Sequence, residues 1–130
     1  MTSARSGIHG LAHVAIFVQD MTRSIRFYED ILGCAVDFRY SDATVFLRNG
    51  SLVLELIEDG LDHREEYGRE SRHIAFACTD IESVFSHFEA NDVAVENPGI
   101  VILPDFGANG CKYVLFRGPD GERLEVQEIL

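Results

Sequence analysis

Two histidines and two glutamates stand inside otherwise apolar, strand-forming stretches of this chain: His13 in HVAIFV, Glu55 in VLELIE, His73 in HIAFAC and Glu125 in RLEVQE. Neutral imidazole binds borderline divalent metals firmly, and a carboxylate can ligate the same ion or accept a proton beside it. Converging in one cleft, the four would form a mixed nitrogen and oxygen site for zinc, nickel, cobalt, manganese or iron. Such an ion polarises a carbonyl while Glu125 or Glu55 removes a proton from the neighbouring carbon, which is proton-transfer isomerisation.

Each residue also has a plain structural reading. A single histidine in an apolar strand is more often a satisfied core residue, and a single glutamate can point out from a sheet edge. A repeat weighs against that reading. HVAIFVQDMTRSIRFYE and HIAFACTDIESVFSHFE match at an offset of 60 residues (13 to 73), aligning His13 with His73, Ala15 with Ala75, Asp20 with Asp80 and Glu29 with Glu89. The terminal arms VLELIE and RLEVQE align Glu55 with Glu125. Burying an unpaired carboxylate among apolar neighbours is costly, so the same arrangement found twice calls for one cause. His9, His63 and His87 have no counterpart in the other copy and read as surface or incidental.

The elements that must position these residues follow from local pattern. Residues 1 to 7 are small and polar and read as a frayed end. A strand is expected from Ile8 to Val18. It is followed by a helix over MTRSIRFYEDIL, with Asp20 at its start, Met21, Ile25, Tyr28 and Leu32 in one stripe, and Gly33 as its stop. Strand character over 35–40 and 44–47 leads to Asn49-Gly50, a hairpin turn signal, and then to the arm SLVLELIE. The charged stretch 59–71 reads as a linker with a solvated surface. The second copy repeats the order: strand His73 to Cys78, helix Asp80 to Asn91 with Ile81, Val84, Phe85 and Phe88 inward, short strands, the turn Gly118-Pro119-Asp120-Gly121, and the last strand ERLEVQEIL. The expected fold is one α+β domain over 1–130, with a first βαβββ module at 8–58, a linker at 59–71 and a second module at 72–130.

Composition bounds the partners. With 46% apolar residues the chain can fill a core unaided, and a net charge of −11 disfavours nucleic acid and anionic membranes. Cys34, Cys78 and Cys111 are odd in number and unrelated in spacing, as buried small hydrophobes would be. Lacking a signal-like apolar core near its start, the protein is expected in the cytoplasm.

These motifs identify a resemblance. HVAIFVQDMTRSIRFYEDILG, VLEL, RHIAF followed by TDIE, and FRGPDGERLEV are together similar to the vicinal oxygen chelate superfamily, the glyoxalase, bleomycin-resistance and dioxygenase proteins. The resemblance implies paired βαβββ modules curling into a mixed-sheet cleft, and usually a homodimer. It places metal ligands at His13, Glu55, His73 and Glu125, the residue types seen in glyoxalase I, with Glu125 or Glu55 as catalytic base. A lyase or isomerase of the glyoxalase I type, acting on a small molecule with an α-carbonyl or vicinal oxygens, is therefore the leading expectation. Glyoxalase I members usually carry an arginine for glutathione where this chain has Phe17, and an asparagine near Asp59. A substrate not linked to glutathione is expected in consequence. Phe17, Phe46, Phe76, Tyr113 and Phe116 are the candidate cleft-lining residues. The alternatives are an iron dioxygenase using His13, His73 and Glu125, and a metal-free small-molecule binding or resistance protein.

Overall fold

A computed structural model describes residues 6–130; the expected frayed end therefore lies mostly outside the described residues. The chain runs β1 (Val14–Val18), α1 (Met21–Leu32), β2 (Ala35–Ser41), β3 (Thr44–Asn49), β4 (Leu52–Glu58), α2 (Arg64–Arg69), β5 (Ile74–Ala77), α3 (Ile81–Ala90), β6 (Ala94–Val95), β7 (Val101–Leu103), β8 (Cys111–Arg117) and β9 (Arg123–Ile129). The first module forms a sheet of order β1-β4-β3-β2. The second forms β5-β9-β8-β6, with β7 also on β8.

The first and last strands of each module pair in parallel, and the registers correspond. Ala15 lies opposite Glu55 in one module and Ala75 opposite Glu125 in the other. Alternation along the strands sends Ile16, Val18, Leu54, Leu56, Val45 and Leu47 to the buried face of the first sheet, and Leu124, Val126, Val114 and Phe116 to that of the second. The helices cover these faces, leaving the opposite face of each sheet open.

Helix α1 begins as its sequence dictates: the Asp20 carboxylate accepts the Arg23 N–H, and Gly33 closes the helix at φ 70°. The second helix departs from this pattern. Asp80 lies at φ 52° and makes no side-chain cap. The N-termini of both helices instead share a partner type absent from the sequence reading. Met21 N–H donates to Glu58 at 2.6 Å and Ile81 N–H to Glu128 at 3.1 Å, each carboxylate coming from the end of the module's own last strand. Free N–H groups and the positive helix end both favour a carboxylate there.

Three boundaries differ from expectation. Strand β1 starts at Val14, so residues 8 to 13 are not strand, and Ile8 and Leu11 are exposed. The hairpin loop is Gly50-Ser51, because Asn49 still pairs with Leu52 while its side chain donates to the Leu32 carbonyl and fastens the hairpin to α1. Positive φ occurs at Gly50, the first loop position, where a type II′ turn requires it. The linker contains the short helix α2, held by Arg117 donating to the Tyr67 carbonyl and Arg123 to the Ser71 carbonyl.

The modules are joined through the turn between β8 and β9. Asp120, 1% exposed, accepts from Gln19 N–H at 3.0 Å and from Arg23 at 2.8 Å, and it contacts the Ser24 hydroxyl. Glu122 accepts from the Tyr28 hydroxyl at 2.8 Å and from its neighbour Asp120 N–H. A Cβ at position 118 would collide with the Glu122 carboxyl group, so any larger residue there would displace that carboxylate from its hydrogen bonds. Burial pushes the Glu122 carboxyl above its ordinary value of 4.5 and the Tyr28 hydroxyl well above 10.0.

The Glu122 shift has a defined sign. The folded protein binds this proton more tightly than the unfolded chain, so the contribution of Glu122 is most favourable at acidic pH. It is lost as pH rises from about 4.5 through the raised folded value. We expect Glu122→Gln to flatten the decline of the thermal midpoint between mildly acid and neutral buffer. A decline as steep as in the parent would contradict the assignment.

Candidate metal centre

His13 and His73 each sit one residue before the first strand of their module, and Glu55 and Glu125 lie in the adjacent parallel strand. This brings each histidine to its own module's glutamate: His13 Nε2 is 3.2 Å from Glu55 Oε1, and His73 Nε2 is 2.9 Å from Glu125 Oε1. The imidazoles are 40% and 36% exposed, on the open faces of the sheets. Ala15 and Ala75 stand beside the glutamates and leave room in front of them.

The second pair has a further contact. His73 Nδ1 is 3.2 Å from the Ser71 carbonyl, an acceptor that favours the tautomer with its hydrogen on Nδ1. In the neutral ring the Nε2 lone pair then faces a carboxylate oxygen, and two acceptors at 2.9 Å need a cation or a proton between them. The two donors of each pair, 3.2 and 2.9 Å apart, are close enough that one cation could sit against both. Each pair by itself therefore offers two donors of a type and spacing that a divalent metal accepts.

The four donors come together only as two pairs. Among the described residues, no group of three or more histidine, cysteine, aspartate or glutamate side chains is arranged to hold one ion. The described residues thus hold two separate histidine–glutamate pairs.

The expected lining residues divide. Phe17 is half exposed at the end of β1, and Phe46 packs edge-on against His13 with ring centroids 5.3 Å apart. Tyr113 is partly exposed on β8, in register with Gln127. Phe76 and Phe116 are buried in the core cluster, with Phe116 packed on Phe88 at 4.6 Å; neither reaches an open face, so the lining expectation fails for both.

Sequence reasoning missed two features. Phe38 stacks on Phe46 at 4.7 Å with planes 14° apart. His63, expected to be solvated, is 8% exposed: its Nε2 meets both Asp59 oxygens at 2.9 and 2.8 Å, and its ring packs near Tyr67 and Phe17. The His63 hydrogen bond holds the Asp59 carboxyl below its usual value. The Tyr67 hydroxyl donates to the Phe17 carbonyl at 2.8 Å, and burial raises its pKa to about 12. Lying outside any helix, Asp59 and His63 gave no periodic signal, and the charges around them hid the pair.

Residues 10–126 match the Glyoxalase/Bleomycin resistance protein/Dioxygenase superfamily. The chain belongs to this superfamily. Among its relatives, the metallothiol transferase FosB of Staphylococcus haemolyticus is 29% identical, with 92% of this chain and 83% of FosB covered. A glyoxalase family protein from Enterococcus faecalis superposes with a TM-score of 0.74 at 28% identity, covering 92% of this chain and 97% of that one. Lactoylglutathione lyase from Agrobacterium tumefaciens, 22% identical, shares the fold with a TM-score of 0.69 and 92% of each chain covered. The fold is thus shared with glyoxalase-family proteins of known structure. No helix among the described residues is long and apolar enough to cross a membrane.

Proposed function

We propose that the protein is a metal-dependent lyase or isomerase of the glyoxalase I type, acting on a small molecule with an α-carbonyl or vicinal oxygens. The observation that carries this reading is the His73 pair, with Nδ1 engaged by the Ser71 carbonyl and Nε2 aimed at Glu125 from 2.9 Å. His13, Glu55, His73 and Glu125 would hold one divalent ion, nickel, zinc, cobalt, manganese or iron, which supplies a Lewis acid for a substrate oxygen. Ser71 fixes the His73 tautomer, as the outer partners of metal-ligating histidines do. Glu125, only 10% exposed, or Glu55, 20% exposed, takes the proton from the carbon next to the bound oxygen.

Two copies would complete the centre, each half-site of one chain facing the other half-site of its partner. The separation of the pairs within one chain supports this arrangement. So do the half-exposed Phe17 on the first module and Leu103 and Ile129 on the second, apolar surface that a twofold interface would cover. Phe17, where glyoxalase I members usually carry a glutathione-binding arginine, supports a substrate without a glutathione carboxylate.

Glu125→Gln is expected to lower solvent-deuterium exchange at the carbon next to the substrate carbonyl by about 10²–10⁴-fold, followed by NMR on the metal-loaded protein. Metal content and exchange rate both equal to those of the parent would refute the role. The 29% identity to FosB, a metallothiol transferase, favours a second reading, thiol transfer at the same centre. Turnover that requires an added thiol separates the two.

A further inference from the structure

The open face of the first sheet is built unlike that of the second. Around its metal pair, β1 contributes Ala15 and Phe17, β4 Val53 and Ile57, and β3 Phe46, directly opposite Glu55. Phe46 meets the edge of the His13 ring at 87°, and Phe38 extends the stack outward while remaining 48% exposed. Neither Phe38 nor Phe46 belongs to the core cluster, so this ladder of rings is not explained by the packing of the chain itself. The arginine that β3 adds to the same face, Arg48, donates to the Asp37 carboxylate and the Gly50 carbonyl.

We infer that the ligand of this centre carries a planar apolar or aromatic group beside its metal-binding oxygens, and that Phe38, through its stack on Phe46, determines this preference. The inference rests on the metal-centre reading and specifies its substrate class. Aromatic rings favour offset or edge contacts with one another, and a ring entering beside His13 would find Phe46 and Phe38 already in a row. The engaged Arg48 and the net charge of −11 both disfavour a strongly anionic substituent at this end of the ligand. Because Phe46 touches the ring that would bind the metal, the aromatic wall and the chelating end of a ligand lie side by side.

Two bidentate oxygen chelators that differ only in their body test this: benzohydroxamate and acetohydroxamate, titrated calorimetrically into the metal-loaded protein. Benzohydroxamate is expected to bind at least about tenfold more tightly. Phe38→Ala should reduce that ratio to about 2, with Phe38→Leu between the two, while thermal midpoints show that both variants fold. Equal affinities in the parent overturn the inference. So does an undiminished ratio in Phe38→Ala accompanied by weaker dimerisation, which would assign Phe38 to the subunit interface. Absence of metal uptake by the parent would instead remove the metal-centre reading and this inference with it; normal uptake without aromatic preference removes this inference alone.

Discussion

His73→Ala is expected to weaken divalent metal binding by at least about 100-fold, because loss of even an outer partner of a metal-bound histidine costs 10–100-fold. Calorimetry with nickel or zinc on the refolded, metal-stripped protein measures it directly. The variant removes the imidazole whose Nε2 faces Glu125, together with the Nδ1 contact to Ser71, but the ring is more than one-third exposed, so the fold should persist. His13→Ala should behave alike, since its pair has the same composition and a similar spacing. Mixing the two variants adds a sharper expectation. If each centre is built from the first module of one chain and the second module of its partner, random reassociation restores roughly a quarter of the sites. Failure of the mixture to regain any metal binding, with exchange of subunits demonstrated, would exclude the shared arrangement. Full affinity in His73→Ala alone would remove the ligand assignment itself.

Asp120→Ala is expected to cost on the order of 3 kcal/mol of stability, read from urea unfolding as a lower midpoint with unchanged slope. Asp120 is almost completely buried and accepts the Gln19 N–H, the Arg23 guanidinium and, at longer range, the Ser24 hydroxyl. Removing it leaves a part-buried backbone N–H and a buried hydroxyl without that acceptor. Arg23 itself remains 44% exposed and can turn to water, which keeps the cost below that of stranding a fully buried charge. A loss under about 1 kcal/mol would mean that the modules are held mainly by apolar packing.

Much of this was legible in the residues. The repeat, the βαβββ order, the Asp20 cap, the Gly33 stop and the matching positions of Glu55 and Glu125 all rest on local pattern or on comparison of one half of the chain with the other. What escaped depended on partners distant in sequence. The PDG turn announced itself as a turn, but nothing local says that Asp120 reaches back about 100 residues to α1, or that Glu122 meets Tyr28. His63 looked solvated because its neighbours are charged; in the fold it is buried beside the Tyr67 and Phe17 rings and bonded to Asp59. Phe76 and Phe116 were expected to line the site on residue type alone, and strand alternation sends them to the core. Phe38 went unnoticed because β2 is exposed along its whole length, and its one telling contact is across the sheet.

The carboxylates of Glu58 and Glu128 bear on how the strands avoid misalignment. A two-residue slip of β4 past β1 would keep every apolar side chain on its proper face, so hydrophobic alternation alone would not detect the error. The same slip would carry Glu58 away from the N–H of Met21, and in the second module Glu128 away from Ile81. Each helix start thus checks the alignment of a strand that holds, three positions earlier, the glutamate paired with its module's histidine. A chain misaligned in this way would forfeit its helix anchor and its histidine–glutamate pair together, so correct pairing satisfies both at once.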